Sequence, residues 1–201
     1  MKFLIIFFQI FFISSGYAEG YKIALQRGTV EITRGGKPVT GDVISGDRVA
    51  VHKKSILILK NSKETLKIMQ DTVITPLEKE DETIIKLAKG ALVSLVVNRK
   101  FKVETKQAVM GVRGTQFFVQ ATGKDDLWMC VEEGVVNVVS KGSKNPVDVP
   151  AGKGVFISPK EISKPQAYAW TKGINWKMDP KEKKLDHVLK LNYDLLDNFY
   201  D

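Results

Sequence analysis

From Gly28 onward the chain breaks into short runs rich in Val, Ile and Phe, punctuated at intervals of about ten residues by clusters of Gly, Asn, Asp, Lys and Pro. Runs so short can bury an apolar face only by pairing into sheets. The candidate strands are Thr29–Thr33, Arg48–His52, Ser55–Leu59, Thr65–Ile68, Thr83–Leu87, Ala91–Val97, Phe101–Thr105, Gln116–Ala121, Leu127–Glu132, Val135–Val139 and Val155–Ser158. Arg34-Gly35-Gly36-Lys37 reads as a hairpin turn in which two adjacent glycines permit positive φ. The pattern predicts an all-β fold, a single domain of many short strands arranged as a β-sandwich or a short solenoid, with an ample core.

Two segments echo each other. Gly28-Thr-Val-Glu-Ile, a Gly-containing turn, Pro38-Val39 and Gly46-Asp47-Arg48-Val49 run parallel to Gly134-Val-Val-Asn-Val, a Gly-containing turn, Pro146-Val147 and Gly152-Lys153-Gly154-Val155. A third partial echo starts at Gly90-Ala91-Leu92-Val93. Such periodicity suggests strands stacked by a recurring unit, with chance likeness among hairpins as the competing explanation.

The chemically most pointed stretch is Gly111-Val112-Arg113-Gly114-Thr115-Gln116-Phe117, one arginine between two glycines in an apolar, β-forming setting. A guanidinium buried there needs acceptors or costs several kcal/mol. Arg113 is therefore expected to be a structural clamp on buried carbonyls or a carboxylate; the alternative is a cation presented to a ligand.

At the N-terminus, Lys2, the apolar run Phe3 to Ile13 and Ser14-Ser15-Gly16-Tyr17-Ala18 read as a secretory leader over residues 1–18, cleaved ahead of Glu19. The run is shorter than the roughly 20 residues of a spanning helix, so no integral membrane segment is expected after leader removal. The only cysteine, Cys130, lies in an apolar strand and is read as a buried, inert thiol. Export without a disulfide framework suits a bacterial envelope, placing the protein in the periplasm or secreted. Beyond the leader 30 Lys and Arg face 23 acids, a net of +7. That balance favours anionic partners. The basic runs His52-Lys53-Lys54, Arg99-Lys100-Phe101-Lys102 and Lys181-Glu182-Lys183-Lys184 are scattered and read as solvated edges, and no nucleic-acid partner is expected.

Past Pro159 the character changes. Residues 161–178 read as an extended arm carrying Trp170 and Trp176 onto the body, after the β domain of residues 19–160. Asp179-Pro180-Lys181-Glu182 is a helix start, and residues 179–201 form an amphipathic helix whose stripe is Leu185, Val188, Leu189, Leu195, Leu196 and Phe199. The stripe can dock on its own sheet or on a partner; a membrane surface is disfavoured by Asp194, Asp197 and Asp201.

The order Gly111-Val112-Arg113-Gly114-Thr115-Gln116-Phe117, Val131-Glu132-Glu133-Gly134-Val135-Val136-Asn137-Val138 and Val149-Pro150-Ala151-Gly152-Lys153-Gly154 resembles the FecR domain, from about Gly28 to Ser158. The resemblance also takes in Val43 to Val49 and the strand Phe101 to Thr105. It implies a non-catalytic all-β periplasmic domain, of the kind found in regulators that relay a signal from an outer-membrane receptor to a sigma factor. This sequence shows no cytoplasmic anti-sigma segment and no membrane span, so a stand-alone exported FecR-type protein is expected. Carried over residue by residue, the motif implies Arg113 held by Gly111 and Gly114, with Glu133, at the start of the Gly134 hairpin, as its carboxylate.

Catalysis finds little support. His52 and His187 are the only histidines, too few for a cupin-like metal site, and no nucleophile elbow or phosphate-cradling loop occurs. The acids Asp71, Glu78, Glu80, Asp81 and Glu82 lack the alternating oxygen ligands and glycine turn of a calcium loop. No cofactor and no metal are expected. The sequence points to a signalling or interaction module that binds an envelope protein; the alternative is a basic scaffold for an anionic glycan or lipopolysaccharide.

Overall fold

In the computed structural model, residues 20–121, 126–143, 145–158 and 161–181 are described. The strands are β1 (Lys22–Arg27), β2 (Val30–Arg34), β3 (Lys37–Pro38), β4 (Arg48–Val51), β5 (Ile56–Lys60), β6 (Glu64–Ile68), β7 (Thr72–Lys79), β8 (Glu82–Val96), β9 (Lys100–Glu104), β10 (Ala108–Val112), β11 (Gln116–Ala121), β12 (Leu127–Glu133), β13 (Val135–Ser140), β14 (Val147–Pro150) and β15 (Gly154–Ile157). They pair into two layers. The first sheet runs β1-β5-β6-β8-β11-β12-β15 and the second β14-β13-β10-β9-β8-β7-β4-β2-β3. Strand β8 belongs to both: Glu82–Lys89 pairs with β7 and Gly90–Val96 with β6 and β11. All named pairings are antiparallel except β8 with β9.

The sandwich forms because each strand turns one apolar side inward. Leu57, Leu59, Leu92, Phe117, Val119 and Met129 of the first sheet meet Val49, Ile74, Ile85, Val103, Met110 and Val138 of the second in one buried cluster. The expected all-β architecture is present, as layers of a sandwich through which the chain winds back and forth. The Gly35-Gly36 turn joins β2 to β3 with φ of 58° and 78°, the double positive that a two-residue hairpin needs.

The echoed glycines acquire a physical meaning here. Gly28, Gly90 and Gly134 each mark the point where a strand leaves one sheet for the other, with φ of 75°, 87° and 86°. Each is pressed against a hydroxyl residue at a neighbouring crossing, respectively Ser55, Thr72 and Thr115. The residue after each glycine hydrogen-bonds that hydroxyl: Thr29 N–H donates to Ser55 Oγ (2.8 Å), Ala91 N–H to Thr72 Oγ1 (2.9 Å), and Thr115 Oγ1 donates to the Val135 carbonyl (3.4 Å). Before each hydroxyl residue stands a left-handed one, Lys54, Asp71 and Gly114, with φ of 57°, 54° and 62°. One corner is thus built three times from different sequences.

Residues 161–178 lie over the first sheet. They start beside β15, where Ile162 bridges Ile157 and Gln166 bridges Gly154. A 3-10 turn, Ala169–Gly173, then drops Trp170 onto the outward face, 5.6 Å from Trp128 and 6.3 Å from Phe118 between ring centroids. Further along, Gln116 Nε2 donates to the Trp176 carbonyl (2.7 Å), and Lys67 Nζ donates to the Asn175 carbonyl and to that of Lys177 (2.8 Å). Lys67 is fully buried by this crossing, and desolvation pushes its ammonium down to about 8. Its acceptors are neutral carbonyls, so the arm is held by a charge-assisted latch without a counter-ion.

Candidate functional site

The arm leaves the two outward faces unequal. Along β10, Val109 and Gly111 alternate outward with the inward Ala108, Met110 and Val112, and Arg113 continues the outward series at the strand's end. The outward row through Gly111 reads Asp148, Asn137, Gly111, Lys102, Ile84 and Leu77 across β14, β13, β10, β9, β8 and β7. No described segment lies over this face in the way the arm lies over the other, and Val135 at its rim is 50% exposed.

Arg113 is on this open face, exposed, and among the described residues no carboxylate lies within 4.0 Å of it. The expected clamp is therefore corrected. Arg113 ends a strand of the second sheet, whereas Glu133 ends β12 of the first, in register with Gln116, and is itself exposed. The corners at Gly114 and Gly134 send the two side chains to different layers. Arg113 acts on Lys100 as a like charge, the smallest of the influences on that ammonium.

The other motif residues divide between corner and core. Gly114, at φ 62°, makes the turn, and Thr115, 1% exposed, pairs through its backbone with Val96 (3.1 and 3.0 Å) and supports Gly134. Val112 points inward, and Phe117 packs edge-on to Phe101 with centroids 6.2 Å apart. Gly111 is different. Among the described residues a Cβ there would meet only the Asn137 carbonyl oxygen, at 4.0 Å, so none of them demands a glycine. A bare position in a strand weakens it and leaves room for another backbone or a ligand to come close.

A caged guanidinium does exist, but it is Arg99, which the sequence reading placed in a solvated basic run. Arg99 Nη2 donates to Glu78 Oε2 (2.6 Å) and its Nε lies 3.8 Å from Glu64 Oε1. Glu64 also accepts from Thr83 Oγ1 (2.6 Å) and from the Tyr21 hydroxyl. The cluster closes one end of the sandwich. Burial raises the Tyr21 phenol well above its usual range, with Glu64 adding to the effect, and burial also raises the Glu78 carboxyl against the pull of Arg99. Glu64, Glu78 and Arg99 are far apart in sequence and meet only through hairpin ends. No local signal could have found them.

Other candidate groups are placed without converging on a reaction centre. Cys130 is 1% exposed, and desolvation pushes its thiol up. His52 is exposed, 3.7 Å from Glu31; His187 and the stripe Leu185, Val188, Leu189, Leu195, Leu196 and Phe199 lie outside the described residues, as does the leader. Asp71 forms a corner, while Asp81 and Glu82 pair with Lys100 and Lys102 at 2.8 Å each. Among the described residues no group of three or more His, Cys, Asp or Glu could hold a metal, and no helix is long and apolar enough to cross a membrane. A cleft of about 720 Å³ between the arm and β12 is lined by one carboxylate, Glu132, and one ammonium, Lys172, beside Tyr168 and Trp176.

Comparison with known proteins agrees with this architecture. Residues 47–137 match the family model described as FecR protein. Two crystal structures of a candidate anti-sigma factor from Parabacteroides distasonis ATCC 8503, at 1.65 and 2.50 Å resolution, share the fold with a TM-score of 0.55 each. Identity is 18% in both, over 63% of this chain and 63% or 62% of those chains, so the likeness spans less than two thirds of either protein. No curated protein matches the sequence.

Proposed function

We propose that this FecR-domain protein is a non-catalytic signalling module, exported to the bacterial envelope, that captures a partner protein on the open face of its second sheet. The observation that carries the reading is the unequal treatment of the two layers. One outward face lies under the protein's own arm; the other carries Arg113, unpaired among the described residues, beside the bare Gly111 and the exposed Val135. A mixed floor in which Val109, Gly111 and Val135 adjoin one desolvatable arginine suits an interface centre. The family match and the anti-sigma likeness support a regulatory role over an enzymatic one.

The face fits a protein better than a polyanion. Lys100 and Lys102 are already neutralised by Asp81 and Glu82, which leaves few free cations around Arg113. A glycan or lipopolysaccharide scaffold would need those lysines unpaired. Photo-crosslinking tests the choice: p-benzoyl-L-phenylalanine at position 135 should trap a discrete envelope protein, and the same probe at position 172 on the arm should not. Trapping of polydisperse carbohydrate, or equal trapping from both positions, would refute the reading.

A further inference from the structure

Three stretches of chain cross side by side between the sheets at one end of the sandwich: 96–100 from β8 to β9, 112–116 from β10 to β11, and 133–135 from β12 to β13. Their order follows from the pairing. Val96 and Thr115 exchange backbone hydrogen bonds (3.0 and 3.1 Å), Gln116 stands between Leu95 and Glu133, and Val112 pairs with Val136. The middle crossing therefore carries the exposed Arg113 and Gly114, with Val97 beside it on one side and Val135 on the other. Adjacent strands lie about 5 Å apart, which sets the two valines about 10 Å from each other.

Val97 and Val135 are 53% and 50% exposed; among the described residues the only other large hydrophobic so exposed is Ile44. Between them, no described atom lies within 4 Å of where a Gly114 Cβ would be. A bare backbone between two apolar walls is a notch, and its walls are fixed. The Val97 N–H donates to the Lys63 carbonyl (2.8 Å), Asn98 turns the chain with a left-handed φ of 51°, and Arg99 is held beneath by Glu78 and Glu64. Across the notch Gly134 is pressed against Gly114 and Thr115, which fixes the start of β13 and with it Val135. Side chains ordered in advance lose little freedom when a partner binds, the property of an anchor site.

Charge sets the class of partner. Arg113 and the exposed Lys63, whose carbonyl holds Val97, have no ion-pair partner among the described residues. The neighbouring Lys100 is held by Asp81 (2.8 Å), and the acid at the rim is Glu133, exposed before Gly134. The rim is thus apolar with cations left over. The geometry points to a protein partner that seats an apolar side chain on Gly114, between Val97 and Val135, and lays a neighbouring carboxylate on Arg113. The inference rests on the reading that a partner docks at Val135; it adds the seat and the partner's chemistry. A polyanionic glycan would answer the charge but brings no apolar side chain to fill the notch.

The test uses the full chain in intact cells, with p-benzoyl-L-phenylalanine at position 97 or 135 and each crosslink mapped by mass spectrometry. Both probes should reach the same short segment of one protein, with an apolar residue beside Asp or Glu. With the probe at 135, Val97→Asp should cut the yield at least tenfold, and Val97→Lys should retain at least threefold more than Val97→Asp. If either variant loses its cooperative melting transition, the two mapped crosslinks decide alone. Suppose position 135 traps a discrete protein, but position 97 traps nothing, a second copy or a segment without an acid, or the Asp and Lys variants give equal yields. The notch is then overturned while partner capture at Val135 stands. If position 135 traps no discrete protein, both fall.

Discussion

Replacing Gly90 by alanine should expose how the two-layer winding is held. Its ideal Cβ would lie 2.3 Å from Thr72 Oγ1, 2.5 Å from Thr72 Cα and 2.8 Å from the Asp71 carbonyl oxygen. The last two are backbone atoms of a corner that is itself left-handed, so they cannot swing aside. A non-glycine residue at φ 87° costs about 1 kcal/mol, forcing the packed corner apart about 1–3 more, and weakening the Thr72–Ala91 hydrogen bonds about another 1. The total is about 4 kcal/mol. Gly35→Ala is the control: its φ is also positive, at 58°, but nothing lies within 4 Å of its Cβ, so it should lose only about 1 kcal/mol. Gly134→Ala falls between, its contacts starting at 2.8 Å. Urea unfolding with a slope of about 2 kcal/mol/M would show midpoints lowered by about 2 M for Gly90→Ala and about 0.5 M for Gly35→Ala. If Gly90→Ala lost no more than Gly35→Ala, the close-approach account of the corners would be wrong.

Further outcomes follow from the buried charges. Because Lys67 sits at about 8 in the folded protein against 10.5 when solvated, the unfolded chain binds the extra proton between those values, and stability should rise by about 3 kcal/mol as pH climbs from 8 to 10.5. Lys67→Met should abolish that rise, measured as the difference between the two proteins' pH profiles; an unchanged profile would place the titration elsewhere. Arg99→Met strands Glu64 and Glu78 without a cation and should cost about 3–5 kcal/mol, partly recovered in the double variant with Glu78→Gln. Additive losses would show that the two groups are not coupled. Cys130 should react with a thiol reagent only at the rate of unfolding, and faster labelling under native conditions would contradict its burial.

Much of the body is legible in the chain because strand pairing leaves local marks. Short β-branched runs, the Gly35-Gly36 hairpin and the glycine echoes at Gly28, Gly90 and Gly134 are all local, and each corresponds to a strand, a turn or a corner. The corner hydroxyls were harder to see. Ser55, Thr72 and Thr115 have different neighbours, and their common role lies in a left-handed predecessor that is Lys54, Asp71 or Gly114. Arg113 misled because an arginine in an apolar run looks buried, whereas strand parity puts it on the side with Val109 and Gly111. The alternation of inward Ala108, Met110 and Val112 with outward Val109 and Gly111 already fixes its exposure. The true buried cluster joins Tyr21, Glu64, Glu78, Thr83 and Arg99 from four separate chain segments, a long-range coincidence that periodicity does not encode.

Arg113→Met separates a recognition role from a structural one in a single protein. Since Arg113 is exposed and unpaired among the described residues, its loss should move the melting temperature by no more than about 2 °C. Recovery of the partner trapped from position 135 should fall at least tenfold. A drop in melting temperature above about 6 °C, or full recovery of that partner, would contradict an arginine aimed outward for recognition.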